Sequence, residues 1–172
     1  MSIATRKVEI IVDIETLRQT LYGSSISGKI YWRFDDFFFP EQHWHDFVTP
    51  LLNWWSTSII EILFGSCEKA TLLYMDGPQQ MIIKADDAYT LTFECYDRYD
   101  SNIQKDPEYV FTVDQRTLLR RMILTMTRVI ECIYRKNFSL DDSLKSELEH
   151  IKENAMKLKG ILKAMGVIAE EI

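Results

Sequence analysis

Several residue patterns that would signal catalysis are missing from this sequence of 172 residues. It contains no G-x-S-x-G nucleophile elbow, no G-x-x-x-x-G-K-[ST] phosphate loop and no H-E-x-x-H zinc motif. Its six glycines leave little room for a loop that wraps a phosphate group. These absences predict a protein with no catalytic site, no cofactor and no bound metal ion.

Cysteine is also scarce, and its spacing matches neither disulfide nor metal patterns. Cys67, Cys95 and Cys132 are odd in number and form no C-x-x-C pair. Cys95 and Cys132 fall on apolar faces of predicted elements, where a free cysteine is usually buried. The first residues, "MSIATRKVEIIVDIE", lack the apolar run of a secretory signal. We therefore expect a reduced protein in the cytoplasm.

No apolar run is long enough to suggest a membrane span. The best candidate, "FVTPLLNWWSTSIIEILF", includes Asn53 and Glu61 among its 18 residues, whereas a spanning helix needs about 20 mainly apolar residues. With 26 acidic and 20 basic residues the net charge is −6, which disfavours nucleic acid and favours a basic protein partner. The hydrophobic content of 47% predicts one folded domain over residues 1–172.

Alternating apolar residues indicate strands in the first two thirds of the chain. Residues 7–14 and 29–34 each place apolar side chains on one face. Three β-rich runs follow between residues 71 and 97, punctuated by Asp-Gly-Pro and Asp-Asp turns, and residues 108–113 complete the set. This pattern predicts an antiparallel sheet of about six strands.

Helical spacing predicts three helices, two of them C-terminal, and hence the α+β class. The first covers residues 50–64, with Thr49 as its N-cap and Gly65 after its end. The second follows Asp114, and the third starts with a capping box at Ser139 and Asp142. The apolar stripe of the third helix, residues 144–165, suits either packing on this protein's own core or a coiled-coil dimer.

The stretch "FDDFFFPEQHWHDF" combines carboxylates with His43 and His45. In a short helix starting at Pro40 the two histidines would lie about 200° apart and could not share a metal ion. The favoured interpretation is a turn with packed aromatic residues and solvated polar ones. The packed residues are Phe37, Phe39, Trp44 and Phe47, and the solvated ones are His43, His45 and the acidic residues.

The segment "VDIET" resembles the first motif of DEDD 3′-to-5′ exonucleases, in which an Asp-x-Glu pair binds two divalent cations. Tyr96 and Asp100 also match a Tyr-x-x-x-Asp pattern of that family. The family's motif normally lies far downstream on a helix, whereas this one follows a predicted strand. A metal-dependent exonuclease therefore remains an alternative hypothesis, as does a self-assembling domain that uses the last helix.

Acidic residues concentrate at the predicted strand ends and loops, together with Tyr96 and Tyr99. They are Asp35, Asp36, Asp86, Asp87, Asp97, Asp100 and Asp106. Aspartate favours turns, so ordinary turn chemistry is one interpretation. The other is a surface for a basic protein, in which charge steers association and aromatic residues anchor it.

The segments "FPEQHWHDFVTPLLNWW" and "LLYMDGPQQMII" resemble small bacterial immunity proteins that accompany polymorphic or contact-dependent growth-inhibition toxins. This resemblance implies a cytoplasmic protein that binds and neutralises one cognate toxin domain, which we expect to be a basic nuclease. The protein itself would be a monomer or a weak homodimer. The expected toxin-binding residues are Asp35, Asp36, Asp86, Asp87, Asp97, Tyr99 and Asp100.

Overall fold

Two antiparallel sheets and three helices make up the computed structural model, which describes residues 4–21, 24–97 and 106–167. The predicted α+β class, with two of the three helices at the C-terminal end, is confirmed. The strands are β1 (Val8–Val12), β2 (Arg18–Gln19), β3 (Ile26–Phe34), β4 (Phe37–Phe39), β5 (His45–Phe47), β6 (Lys69–Leu73), β7 (Gln80–Ala85), β8 (Thr90–Tyr96) and β9 (Tyr109–Asp114). The helices are α1 (Val48–Leu63), α2 (Gln115–Arg135) and α3 (Asp142–Ala164).

The first sheet is organised around β3, which pairs with all four of its other strands. The C-terminal part of β3 pairs with β1 and β4, and its N-terminal part pairs with β2 and β5. The second sheet has the order β6-β7-β8-β9. The structure thus has two sheets where the sequence predicted one sheet of about six strands. Residues 37–47, which were expected to form a turn, add two short strands to β3.

One backbone contact and a continuous core join the two sheets. The Arg6 nitrogen donates to the Thr112 oxygen of β9 at 2.7 Å. Aromatic rings span the space between the sheets: the Trp32 and Phe93 centroids lie 5.2 Å apart, and the Phe34 and Phe111 rings stack at 4.5 Å. The buried residues of both sheets and all three helices form one cluster. The aromatic rings in this cluster contribute a large share of the buried apolar area.

The final helix packs inside this chain. Its apolar residues Leu144, Leu148, Ile151, Leu158 and Leu162 are fully buried. The buried side chain of Asn154 on the same face donates to the Ser56 and Thr57 hydroxyls of α1, both at 2.9 Å. The interpretation that the stripe packs on the protein's own core is therefore confirmed, and the stripe does not form an exposed coiled-coil seam.

Two of the predicted helix ends are correct. The Asp114 carboxylate accepts from the Thr117 nitrogen at 2.7 Å, as an N-cap does. Gly65 has a φ of 71°, and the Ser66 nitrogen reaches the Glu61 oxygen at 2.9 Å. This is a Schellman end, for which glycine is favoured.

Two other predicted caps are wrong. Helix α1 begins at Val48, so Thr49 lies inside it, and its hydroxyl instead accepts from the Ile26 nitrogen of β3 at 3.2 Å. Helix α3 is capped by Asp141, which accepts from the Leu144 nitrogen at 2.8 Å, rather than by Ser139. Thr49 thus bonds to a neighbouring strand, whereas α3 is capped by the aspartate that directly precedes it.

Candidate protein-binding surface

One side of the β6–β9 sheet faces solvent. Side chains on the inner side of these strands, including Leu72, Met81, Ile83 and Phe93, are fully buried, because strand residues alternate between faces. We define the outer face as Thr71, Leu73, Ile82, Lys84, Thr92, Glu94, Tyr96, Val110 and Thr112. All nine retain solvent exposure, and Leu73 and Val110 are 48% and 55% exposed. A partner could therefore contact this face directly.

Polar contacts hold the outer face in a defined arrangement. Lys84 pairs with Glu94 at 2.5 Å, and the Tyr96 hydroxyl donates to the same carboxylate at 3.1 Å. Thr92 and Thr112 meet across the strands at 3.3 Å. The pKa of Tyr96 is raised, first by desolvation and then by Glu94 and Asp106. Burial is thus the main cause of this shift, and the neighbouring carboxylates add to it.

Charge is distributed unequally between the sheets and the C-terminal helices. Residues 4–21, 24–97 and 106–114 carry seventeen acidic but seven basic side chains, whereas residues 115–167 carry six acidic and eleven basic ones. The part of the molecule that holds the outer face is therefore much more acidic than the net charge of −6 suggests. Such an asymmetry favours association of basic partners with this part of the chain rather than with the C-terminal helices.

The predicted toxin-binding residues Asp86 and Asp87 lie in the hairpin between β7 and β8. Asp87 accepts from the Tyr89 and Thr90 nitrogens, both at 2.7 Å, and these bonds lower its pKa. Asp86 accepts from the hydroxyl of Thr92, an outer-face residue, at 2.6 Å. Asp87 therefore closes the turn, while Asp86 lies at the border of the outer face.

The predicted residue Asp97 lies at the opposite end of β8 from this hairpin. The seven residues of β8 separate the two ends by about 23 Å. Asp106 and Glu108 are near Asp97, because the Glu108 nitrogen donates to the Cys95 oxygen at 2.9 Å. Tyr99 and Asp100, which were also predicted, lie outside the described residues.

The last two predicted residues, Asp35 and Asp36, form the turn between β3 and β4. Asp35 has a φ of 52° and accepts from the Lys7 nitrogen at 2.9 Å and from Arg6 at 3.1 Å. The bond from Lys7 is the main cause of its lowered pKa. Asp36 is exposed and precedes Phe37, whose ring lies 4.3 Å from that of Tyr109 on β9. This contact places the turn beside the Glu108 end of the sheet.

The structure corrects one expectation about the histidine-rich stretch, namely that its acidic residues all face water. Asp46 is only 2% exposed. One oxygen accepts from the Met75 and Asp76 nitrogens at 3.0 and 3.1 Å and from the Trp44 indole at 3.3 Å, and the other accepts from the Phe47 nitrogen at 2.7 Å. Asp46 thus ties β5 to the segment after β6.

The two histidines take separate roles. His43 lies in a turn with a φ of 70°, and its ring meets that of Tyr31 edge-on at 6.2 Å. His45 is exposed on β5. Within the described ranges, no group of three or more His, Cys, Asp or Glu side chains is arranged to hold a metal ion.

The Asp-x-Glu pair of "VDIET" serves the local backbone. Asp13 caps a short 3-10 turn, where its carboxylate accepts from the Glu15 nitrogen at 3.2 Å. The other oxygen of the carboxylate lies 3.9 Å from the Lys29 ammonium nitrogen. Glu15 is exposed and lies 4.0 Å from Lys136. Each carboxylate therefore already has a cation or a backbone donor beside it. The second residue of the exonuclease-like pattern, Asp100, lies outside the described residues.

Comparisons with known proteins found no match: no family model, no curated protein and no solved structure is significantly similar to this chain. None of the helices in the described part combines the length and the apolar character that crossing a bilayer requires.

The buried Cys95 and Cys132 confirm the predicted core positions, and burial raises the pKa of the Cys95 thiol.

Proposed function

We propose that this protein is a cytoplasmic immunity protein that binds and neutralises a basic toxin domain, which we take to be a nuclease. The observation that carries this proposal is the concentration of acidic side chains in the part of the molecule with an uncovered sheet face. A stoichiometric inhibitor needs a complementary surface and no catalytic group. The free protein would be a monomer or a weak homodimer.

The outer face has the two components that a fast and tight inhibitor requires. The acidic residues Asp86, Asp97 and Glu108 at its borders would accelerate association with a basic domain through long-range attraction. Tyr96, Val110 and Leu73 offer aromatic and apolar area for the centre of an interface. Because Lys84 is already paired with Glu94, it adds little positive charge to repel the toxin.

The size of the sheet indicates how much of it a toxin would cover. Four strands of five to seven residues give a face of about 20 Å by 20 Å. A standard interface buries about 800 Å² on each partner. The contact would therefore extend beyond the sheet to both of its ends, which explains how Asp86 and Asp97 could bind one toxin although they are far apart.

A co-expression experiment tests the proposal. The gene for this protein is expressed with the toxin domain encoded beside it, and survival is measured. Wild-type protein should protect the cells, and the Asp97→Lys/Glu108→Lys double variant should protect less. Glu153→Lys is a matched control, since Glu153 is an exposed acid on α3. Asp35 and Asp87 are poor choices, because each also holds a turn.

Binding measurements with a catalytically inactive toxin domain make the test quantitative. We expect an acidic residue that meets a buried toxin arginine to contribute about 2–5 kcal/mol, and a peripheral one mainly to accelerate association. The association rate of the wild type should fall as salt is raised, while that of the double variant should change less. Cell death despite wild-type protein, or the lack of a complex, would show that the immunity function is wrong. If the double variant protects as well as the wild type, the toxin binds a surface that does not include Asp97 and Glu108.

A further inference from the structure

A small cleft lies between β1 and α2, on the opposite side of β1 from β3. It has a volume of about 80 Å³ and is lined by Ile10, Ile11, Val12, Ile14, Thr125, Arg128 and Val129. The lining is aliphatic apart from the Thr125 hydroxyl and the Arg128 guanidinium. An engineered cavity of about 150 Å³ holds benzene, so this cleft has room for one branched aliphatic side chain.

The cleft opens at a gap in the hydrogen bonding of the β1 edge. The Asp13 nitrogen donates to the Lys29 oxygen of β3, so the odd-numbered residues of β1 direct their N–H and C=O groups toward β3. The N–H and C=O groups of the even-numbered residues therefore point the other way, toward α2. Helix α2 satisfies two of them: Thr125 donates to the Ile10 oxygen at 3.0 Å, and Lys136 donates to the Ile14 oxygen at 2.9 Å.

The peptide group of Val12 lies between these two satisfied positions. In the described residues, no side chain of α2 or of any other element donates to the Val12 oxygen. It faces the cleft, which Val12 itself lines. A strand edge with one free peptide group beside an aliphatic cleft can accept one residue of an extended chain.

The guanidinium of Arg128 at the mouth of the cleft is also available to a ligand. Arg121 pairs with Glu9, and Lys136 lies near Glu15, but Arg128 is exposed and has no carboxylate partner in the described ranges. Arg128 belongs to the C-terminal helices, where basic residues outnumber acidic ones eleven to six. A guanidinium in this position favours a carboxylate ligand, which it can bind through two parallel hydrogen bonds.

From these observations we infer a second binding site, in which the cleft between β1 and α2 takes the C-terminal aliphatic residue of an extended peptide. The side chain fills the cleft, the peptide group pairs with Val12 and the terminal carboxylate binds Arg128. The site lies outside the acidic outer face and takes a ligand of opposite charge. It therefore does not depend on the immunity function, and each can fail without the other.

N-acetyl-L-valine is the smallest probe that carries all the required groups, namely an aliphatic side chain, one peptide unit and a carboxylate. Titration into the full-length ¹⁵N-labelled protein should shift the amide signals of residues 10–14 and 125–129. We expect a Kd on the order of 1–10 mM, since only one residue is bound. N-acetyl-L-valinamide, which lacks the charge, should bind about tenfold more weakly.

Two variants separate the cleft from the general basic surface. Arg128→Gln should weaken binding of N-acetyl-L-valine about tenfold, because a charged hydrogen bond is lost. Arg135→Gln is the matched control: Arg135 is exposed on the same helix, about 10 Å further along it, and does not line the cleft. It should bind like the wild type, and both variants should keep the amide spectrum of the folded protein.

Several results would overturn the inference. It is wrong if no signal shifts, if the shifts lie outside the cleft, or if the amide probe binds as well as the acid. Equal weakening by both variants would show that only the basic charge of α2 attracts the probe. If a second copy of the chain covers the cleft, the protein will sediment as a dimer. That result would also overturn the inference, because the ligand of the cleft would then be the second copy and not a peptide.

Discussion

The buried carboxylate of Asp46 gives the sharpest test of the structure, because the sequence alone places this residue in water. Replacing it with asparagine keeps the shape of the side chain but removes the charge and one acceptor oxygen. The native carboxylate accepts from four N–H groups, of Trp44, Phe47, Met75 and Asp76. An asparagine can present its oxygen to only one side and must direct its own N–H₂ toward the remaining donors.

The expected loss follows from these contacts. A hydrogen bond to a charged group contributes about 1.5–3 kcal/mol, and the variant loses at least the bond to Phe47 or the pair to Met75 and Asp76. The residue is nearly inaccessible, so water can replace little of this. Adding the unfavourable contact between N–H groups, we expect Asp46→Asn to lower the free energy of unfolding by about 3–5 kcal/mol.

Equilibrium urea unfolding, followed by tryptophan fluorescence, measures this loss. Asp36→Asn is the control, since Asp36 is an exposed aspartate in a turn and its amide variant should change stability by less than about 0.5 kcal/mol. The urea dependence of the unfolding free energy should stay the same in both variants. If Asp46→Asn loses less than about 1 kcal/mol, the carboxylate does not hold β5 to the segment after β6 as described.

Two further predictions concern the helices. Trp55→Ala should lower the free energy of unfolding by about 3–5 kcal/mol, because the ring is fully buried and its indole donates to the Leu73 oxygen at 2.9 Å; a change below about half a kcal/mol in urea melts would contradict that packing. The half-buried Glu147 has a pKa raised by burial, so its stabilising protonated form is present below about pH 4.5 and is lost as pH rises through the raised value. Glu147→Gln should therefore gain stability over the wild type between about pH 4 and neutrality, unlike the control Glu153→Gln at an exposed position of the same helix, and parallel urea midpoints for Glu147→Gln and the wild type across this range would refute the argument.

The strands that the sequence predicted are those whose two faces differ. In β8 the apolar residues Leu91, Phe93 and Cys95 are buried, and the polar residues between them keep contact with solvent. This difference is written in the sequence as a period of two. The same holds for the third helix, where an apolar stripe indicated one buried side, although the stripe could not say whether α1 and α2 or a second chain would cover it.

The elements that the sequence missed are short and have no period of their own. β4 and β5 have three residues each, and they form because β3 is nine residues long and offers free edge positions along its length. A three-residue strand shows no alternation that could be distinguished from a loop. The position of Thr49 has the same explanation: its hydroxyl was expected to cap a helix locally, but it bonds to Ile26 of the neighbouring strand instead.

The sequence named acidic loop residues around the candidate surface, but of the nine residues of the outer face it named only Tyr96, and it could not show how the acidic residues are grouped. Asp86 and Asp97 come out at the two ends of one sheet face, while Asp36 is placed beside β9 by the contact between Phe37 and Tyr109. The cleft beside Arg128 gave no signal in the sequence at all. It exists because α2 lies along the edge of β1, and the residues that line it come from two segments more than a hundred positions apart.

The sequence by itself determined the α+β class, the two C-terminal helices, the buried faces of the regular elements and the acidic charge, since each depends on composition or on a local period. The tertiary structure decided which polar residues are buried and which surfaces stay open. Asp46 shows the reason. In the sequence it stands between His45 and Phe47 in a polar stretch, and nothing there distinguishes it from an exposed aspartate. Its burial depends on the nitrogens of Met75 and Asp76, about thirty residues away, which supply hydrogen bonds only after β5 and β6 have packed on the same core.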